Sequence, residues 1–125
     1  MSNTEPDHDH LLRSNLERVF NERNPLARSN AIAELYAAEP VMYEPDAIVE
    51  GREAISAIAG GLLERFGPDF AFVAAGSALG HHGMATLRWH AGPAKGPVAV
   101  TGADLAEVVD GRIARLWVLL DPPPG

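Results

Sequence analysis

Apolar residues recur along much of the first half of the chain at spacings of three and four. Leu12, Leu16, Val19, Phe20 and Arg23 fall on one stripe, which predicts a helix from His8 or Asp9 to about Arg23, with Asp9 as its N-cap. Asn24-Pro25 breaks it. A second helix is expected from Ala27 or Ser29 to Ala38, with Ile32, Leu35 and Tyr36 inward and Pro40 ending it. Val41–Glu44 and Ala47–Glu50 read as two short strands about a Pro45-Asp46 turn. Ile55, Ile58, Ala59, Leu62 and Phe66 then mark a third helix after Gly51. Gly60-Gly61 weakens its middle and Gly67-Pro68 stops it.

From residue 69 onward the period changes to two. Strands are expected near 69–79, 83–92, 97–109 and 112–120. The Asp110-Gly111 turn between the last two is a strong hairpin signal. Helices interleaved with a short hairpin and followed by a strand meander imply an α+β domain, its helices on one face of an antiparallel sheet. Within the strand before Asp110, one face carries Val98, Val100, Gly102, Asp104, Ala106 and Val108. Asp104 is the only charged side chain there, and a carboxylate facing a core or pocket must be paired, protonated or functional. Because side chains alternate along a strand, one residue of register decides whether Asp104 faces the interior.

At 125 residues, with 46% apolar and 22% charged content, the chain is expected to form one globular domain. Residues 1–8 read as a disordered lead-in, 9–121 as the domain and 122–125 as a Pro-rich tail. No apolar run reaches the roughly 20 residues of a bilayer span, and the polar start MSNTEPDHDH lacks the pattern of a signal peptide, so a cytoplasmic location is expected. A net charge of −7 without a basic cluster disfavours nucleic-acid binding. The chain has no cysteine, which removes thiol chemistry. Neither a nucleophile elbow nor a phosphate-cradling loop is present. His81-His82 lacks the third close ligand that catalytic zinc needs, and His8-Asp9-His10 is an equally weak metal signal. Neither metal nor cofactor is expected.

Three segments, taken together, resemble the nuclear transport factor 2-like superfamily, in its branch of SnoaL-like polyketide cyclases and ketosteroid isomerases. They are LYAAEPVMYEPDAIVEGREAI (Leu35–Ile55), Gly102-Ala103-Asp104, and DGRIARLWVLLD (Asp110–Asp121). The resemblance implies a cone: two to three helices packed on a strongly bent antiparallel sheet, a cystatin-like α+β roll around an apolar pocket. It also implies homodimers formed through the outer sheet face. It does not settle activity, because this fold hosts several chemistries as well as non-catalytic binders.

Within that frame Asp104 is the leading acid/base candidate, either as a proton carrier or as a neutral donor to an enolate oxygen, a role that a protonated Asp fills in ketosteroid isomerase. The bland alternative pairs Asp104 with Arg88. Glu44-Pro45 falls where ketosteroid isomerases carry their base, and Glu44 reads otherwise as a solvated hairpin carboxylate. Leu16 or Phe20 stands where that family has its oxyanion-hole Tyr. His90 and Arg88 share a strand face with Met84 and Thr86, either toward the pocket, where His90 would assist proton transfer, or outward. Tyr43 is expected to line or cover the pocket. Leu116, Val118 and Leu120 are expected inside the cone, with Ile113, Arg115, Trp117 and Leu119 outside. Two functions follow: an isomerase or cyclase moving protons beside the carbonyl of a small hydrophobic, polyketide-like substrate, or a binding or association module of the same fold.

Overall fold

The computed structural model describes residues 7–123. Three helices pack on one side of a curved, mixed sheet of seven strands. The first helix, α1 (His8–Ser14), is capped by Asp7, whose side chain accepts from His10 N at 3.0 Å. Asp9 is not the cap; it instead pairs with Arg13 and accepts from Ala78 N, tying the helix to the sheet. Of the expected lead-in, residues 1–6 lie outside the described residues, whereas Asp7 and His8 belong to the helix start. Of the Pro-rich tail, residues 122 and 123 are described and have no regular structure.

At Asn15 the helix changes pitch. Asn15–Phe20 forms a π-helical turn, seen in the bond from Asn21 N to Leu16 O at 2.8 Å, five residues back. The extra residue per turn lets Asn15, Leu16, Val19 and Phe20 all be buried. The helix ends there, short of Arg23. The guanidinium of Arg23 reaches over to donate to Leu63, Gly67 and Phe70 carbonyls at the C-terminus of the third helix.

Asn24 caps α2 (Pro25–Leu35), accepting from Leu26 N and Ala27 N, with Pro25 in the first turn where its missing N–H costs nothing. This helix starts and stops earlier than its periodicity suggests. At Tyr36 the backbone becomes extended and enters β1 (Tyr36–Glu44), which pairs with β2 (Ala47–Glu50). Pro40 therefore ends no helix. It lies buried in β1, within the irregular stretch between Tyr36 and Val41, where a residue lacking an N–H is tolerated. The third helix, α3 (Arg52–Phe66), follows Gly51 and ends at Gly67, both at positive φ. Gly60 within it gives room to Arg28, whose guanidinium nitrogen would lie 2.6 Å from an added Cβ.

The expected strand near 69–79 is two strands, β3 (Phe70–Ala74) and β4 (Leu79–His81), both paired with β5 (Met84–Pro93). Then come β6 (Val100–Val109) and β7 (Arg112–Leu120). The order across the sheet is β2-β1-β7-β6-β5-β3. It is antiparallel except at β1 and β7, which run parallel, so the expectation of a purely antiparallel sheet is corrected. The reason is topological: β1 follows a helix and enters beside the last strand of the meander.

A bulge between β6 and β7 corrects a second expectation. Glu107 pairs with Arg115 but Val108 pairs with Ile113, leaving Ala114 as the extra residue. Side-chain parity reverses there. Ile113 is consequently fully buried rather than outward, while Leu116 remains inside as expected. Ile113, Leu116, Met42, Tyr36, Leu12, Val19, Ile32 and Ile55 belong to the continuous core between helices and sheet.

Candidate functional site

Beyond that core, the curve of the sheet leaves a cavity of about 410 Å³. Its walls are apolar: Leu16 and Phe20 from the π-helical turn, Leu62 and Phe66 from α3, Val100 from β6, Val118 and Leu120 from β7. Phe66, Phe70, Phe72 and Trp89 form a chain of ring contacts along one side. Phe66 stacks on Phe70 at 4.5 Å, and Phe72 meets the Phe70 and Trp89 rings edge-on at 5.5 and 5.3 Å. Glu44, Asp46 and Arg65 line the solvent-facing end. Asp104 and Trp89 lie at the closed end, both almost wholly buried.

Asp104 faces the cavity, 3% exposed. It sits opposite Leu87 and Val118, so no cation stands beside it in the sheet. Its Oδ1 accepts from Trp89 Nε1 at 3.0 Å, and its Oδ2 has no partner. Burial raises its pKa to about 7, against the opposing pull of the Trp89 donor and of nearby Asn15. The Gly102-Ala103-Asp104 segment explains the geometry. Trp89 pairs across the strands with Gly102, two positions from Asp104. A Cβ at residue 102 would lie 2.9 Å from the indole ring, so glycine is what lets the ring lean over the strand toward the carboxyl.

A second polar pair lies behind the first. Tyr36 OH donates to Asn15 Oδ1 at 2.6 Å; both residues are fully buried. Asn15 Nδ2 has no partner. A buried unsatisfied polar group costs about 1–3 kcal/mol, and here one orphan donor and one orphan acceptor belong to neighbouring side chains. Burial, reinforced by the charge of Asp104, pushes the Tyr36 phenol well above its usual pKa, so it stays neutral.

Glu44 lines the same cavity from the end of β1. Desolvation raises its pKa, Arg65 pulls it down and Asp46 pushes it up. Val118 and Leu120 line the cavity and Leu116 underlies it in the core.

Three other candidates lie elsewhere. His90 and Arg88 alternate with Leu87 and Trp89 along β5, and it is the apolar pair that points inward. His90 therefore faces away from the cavity, and Arg88 is exposed and ion-paired with Asp121, not with Asp104. Tyr43 also leaves the cavity: it lies on the outer sheet face, stacked on its cross-strand partner Trp117 at 5.0 Å and 13°. In all three cases the inward positions are taken by apolar neighbours, Leu87, Trp89 and Met42, and strand alternation turns the next side chain outward. The turn histidines His81 and His82 are exposed, and no group of three metal-ligating side chains exists among the described residues.

Trp89, Asn15 and Tyr36 escape the sequence reading. Trp89 carried one signal, since a buried indole N–H needs an acceptor and Asp104 is the one charged residue on the facing strand's inner side. Asn15 carried none, because its inward position depends on the π-helical turn.

This cavity, with one buried carboxyl at its closed end, sits in a recognisable family. The model of the SnoaL-like domain matches residues 14–116. The chain belongs to the SnoaL-like domain family. Among solved structures, a SnoaL-like protein from Agrobacterium tumefaciens described as a candidate isomerase superposes with a TM-score of 0.84 at 24% identity, covering 93% of this chain and 98% of the other. A candidate polyketide cyclase from Sinorhizobium meliloti superposes at 0.67 and 18% identity, covering 87% and 93%. A candidate ketosteroid isomerase from Kribbella flavida superposes at 0.63 and 19%, covering 95% and 87%. At these identities the SnoaL-like likeness is one of fold. No curated protein matches the sequence. No helix among the described residues is long and apolar enough to cross a membrane.

Proposed function

We propose that this SnoaL-like protein is a cofactor-independent isomerase or cyclase that moves a proton beside the carbonyl of a small hydrophobic substrate. The observation that carries the reading is the unpartnered Oδ2 of Asp104 at the closed end of an apolar cavity. A carboxyl whose pKa lies near 7 is protonated in about half the molecules at neutral pH, so it can donate to a carbonyl oxygen. Glu44, on the same cavity nearer solvent, serves as the base.

Glu44 takes the proton from the carbon next to the carbonyl. The C–H electron pair becomes the enol double bond, and the carbonyl pair moves onto oxygen, held there by the Asp104 proton. Return of the proton to a different carbon completes an isomerisation. Alternatively the enol carbon bonds to a second carbonyl carbon of the same molecule; that carbonyl's π pair moves to its oxygen and takes the proton held by Glu44, while the first carbonyl re-forms and the Asp104 proton returns to the carboxyl. The apolar walls exclude water, and the row of aromatic rings from Phe66 to Trp89 favours a flat, unsaturated substrate.

The test uses 2-tetralone, a flat aryl ketone, and follows exchange of its α-protons into deuterated water by NMR. The protein is expected to accelerate exchange, and Asp104→Asn and Glu44→Gln each to slow it by at least about 100-fold, the usual contribution of a positioned acid or base. Exchange unaffected by Asp104→Asn would overturn the assignment. Saturable quenching of tryptophan fluorescence without exchange would instead indicate a binding module.

A further inference from the structure

The amide of Asn15 is held by one atom and free at the other. Tyr36 OH occupies its Oδ1 at 2.6 Å, which fixes which way the Nδ2 end points, and that end is buried without a partner. Asp104 shows the complementary pattern: Trp89 occupies Oδ1 at 3.0 Å, and Oδ2 is buried and free. Both orphan atoms are buried, and Asn15 stands near enough to act on the Asp104 carboxyl; each side chain is anchored at its other end by a residue from a different element, β1 for Asn15 and β5 for Asp104.

We propose that Asn15, clamped by Tyr36, is a positioning residue that catches Oδ2 of Asp104 whenever that oxygen has given up its proton. An amide N–H can satisfy a carboxylate oxygen but competes for space with the proton of a carboxylic acid. Asn15 therefore favours the ionised state selectively. Trp89 holds the other oxygen, so the carboxyl keeps one orientation through both states. The helical irregularity is the device that makes this arrangement: the π-helical turn begins at Asn15 and brings a polar residue inward beside Leu16.

Few other groups bear on Asp104. From β1 come the neutral Tyr36 phenol and, across the cavity, Glu44; Asp46 and Arg65 stand at the mouth. The strand neighbours Leu87 and Val118 carry no charge.

The titration of Asp104 is read directly from the carboxyl carbon signal in 13C-aspartate-labelled protein, assigned by its loss in Asp104→Asn. In Asn15→Leu the midpoint is expected to rise by about one pH unit, a tenfold loss of preference for the ionised form. Tyr36→Phe, which is isosteric and leaves Asn15 in place, is expected to shift it in the same direction by less. Asn15→Ser, retaining a short donor, is expected to recover part of the shift. Midpoints in Asn15→Leu and Tyr36→Phe equal to that of the unaltered protein would overturn the proposal; should Asn15→Leu fail to fold, Tyr36→Phe alone decides it. A kinetic consequence, an alkaline shift of the exchange profile with little change in KM, rests on the acid role of Asp104 proposed above. The NMR titration does not, so the two can fail separately.

Discussion

Trp89 and Asp104 stand two register positions apart on adjacent strands, with the indole N–H bound to the carboxyl at 3.0 Å and Gly102 leaving the space between them. This diagonal contact gives the Asp104 carboxyl its single hydrogen bond. It also determines which carboxyl oxygen is left facing outward from the pair.

The first consequence concerns stability. Asp104 in the folded chain titrates near 7 against an ordinary 3.8. Below the ordinary value it is protonated in both folded and unfolded chains. Between the two values the folded state holds a proton that the unfolded state has lost, so stability falls as pH rises and levels off above about 7. The displacement corresponds to on the order of 4 kcal/mol. Asp104→Asn, neutral throughout, removes this slope. Urea denaturation at pH 5 and pH 8 is expected to show the variant gaining on the parent protein at the higher pH; a constant difference would contradict the burial cost assigned to Asp104.

Trp89→Phe keeps an aromatic ring against Phe72 but removes the N–H. The ionised carboxyl then loses its donor, and the Asp104 titration moves upward. The expected shift is about one pH unit, measured by the same carboxyl carbon signal. An unchanged midpoint would mean that the indole packs on the carboxyl without stabilising its charge.

Gly102→Ala tests the space rather than the bond. The new Cβ would meet the Trp89 ring at 2.9 Å and the Leu119 carbonyl oxygen closer still. Overpacking of this kind costs about 1–3 kcal/mol, seen as a lower urea midpoint. Because the ring must move away from Asp104, the carboxyl titration should also shift upward, as in Trp89→Phe. Loss of stability with no change in titration would separate the glycine from the site.

Assembly is a further prediction. The outer sheet face carries the stacked Tyr43 and Trp117 pair and a half-exposed Leu119. We propose that a second copy of the chain covers it, as apolar and aromatic surfaces of this kind favour. Light scattering on a sizing column should give twice the 13.3 kDa chain mass, and Trp117→Arg should return it to one chain. A parent protein that elutes as a monomer at about 100 μM, well above the Kd of a stable dimer, would contradict this.

Much of this was present in local pattern. The period-three-and-four stripe of Ile55, Ala59 and Leu62 sufficed for α3 because helix, face and termini all follow from spacing and flanking glycines. The inward face of Asp104 followed from alternation along β6, and the Asp110-Gly111 turn located the hairpin. Prediction failed where a contact distant in sequence overrode a local preference. Tyr36 suits a helix face as well as a strand, and pairing with Ile113 in β7 makes it a strand. Ile113 breaks the expected alternation, because the bulge at Ala114 reverses side-chain parity on its side of the strand.

The sequence by itself determined most of the helices and strands, the family pattern and the presence of one carboxylate on an apolar strand face, because each depends on residues a few positions apart. Only the tertiary structure decided which face of β5 turns inward, that Trp89 rather than His90 meets Asp104, and that Asn15 and Tyr36 stand behind the site. Those relations join residues from different strands and a helix, and sheet curvature, a bulge and a single π-helical turn set them. No local spacing encodes where such irregularities point, because their cost is offset only by contacts made in the assembled core.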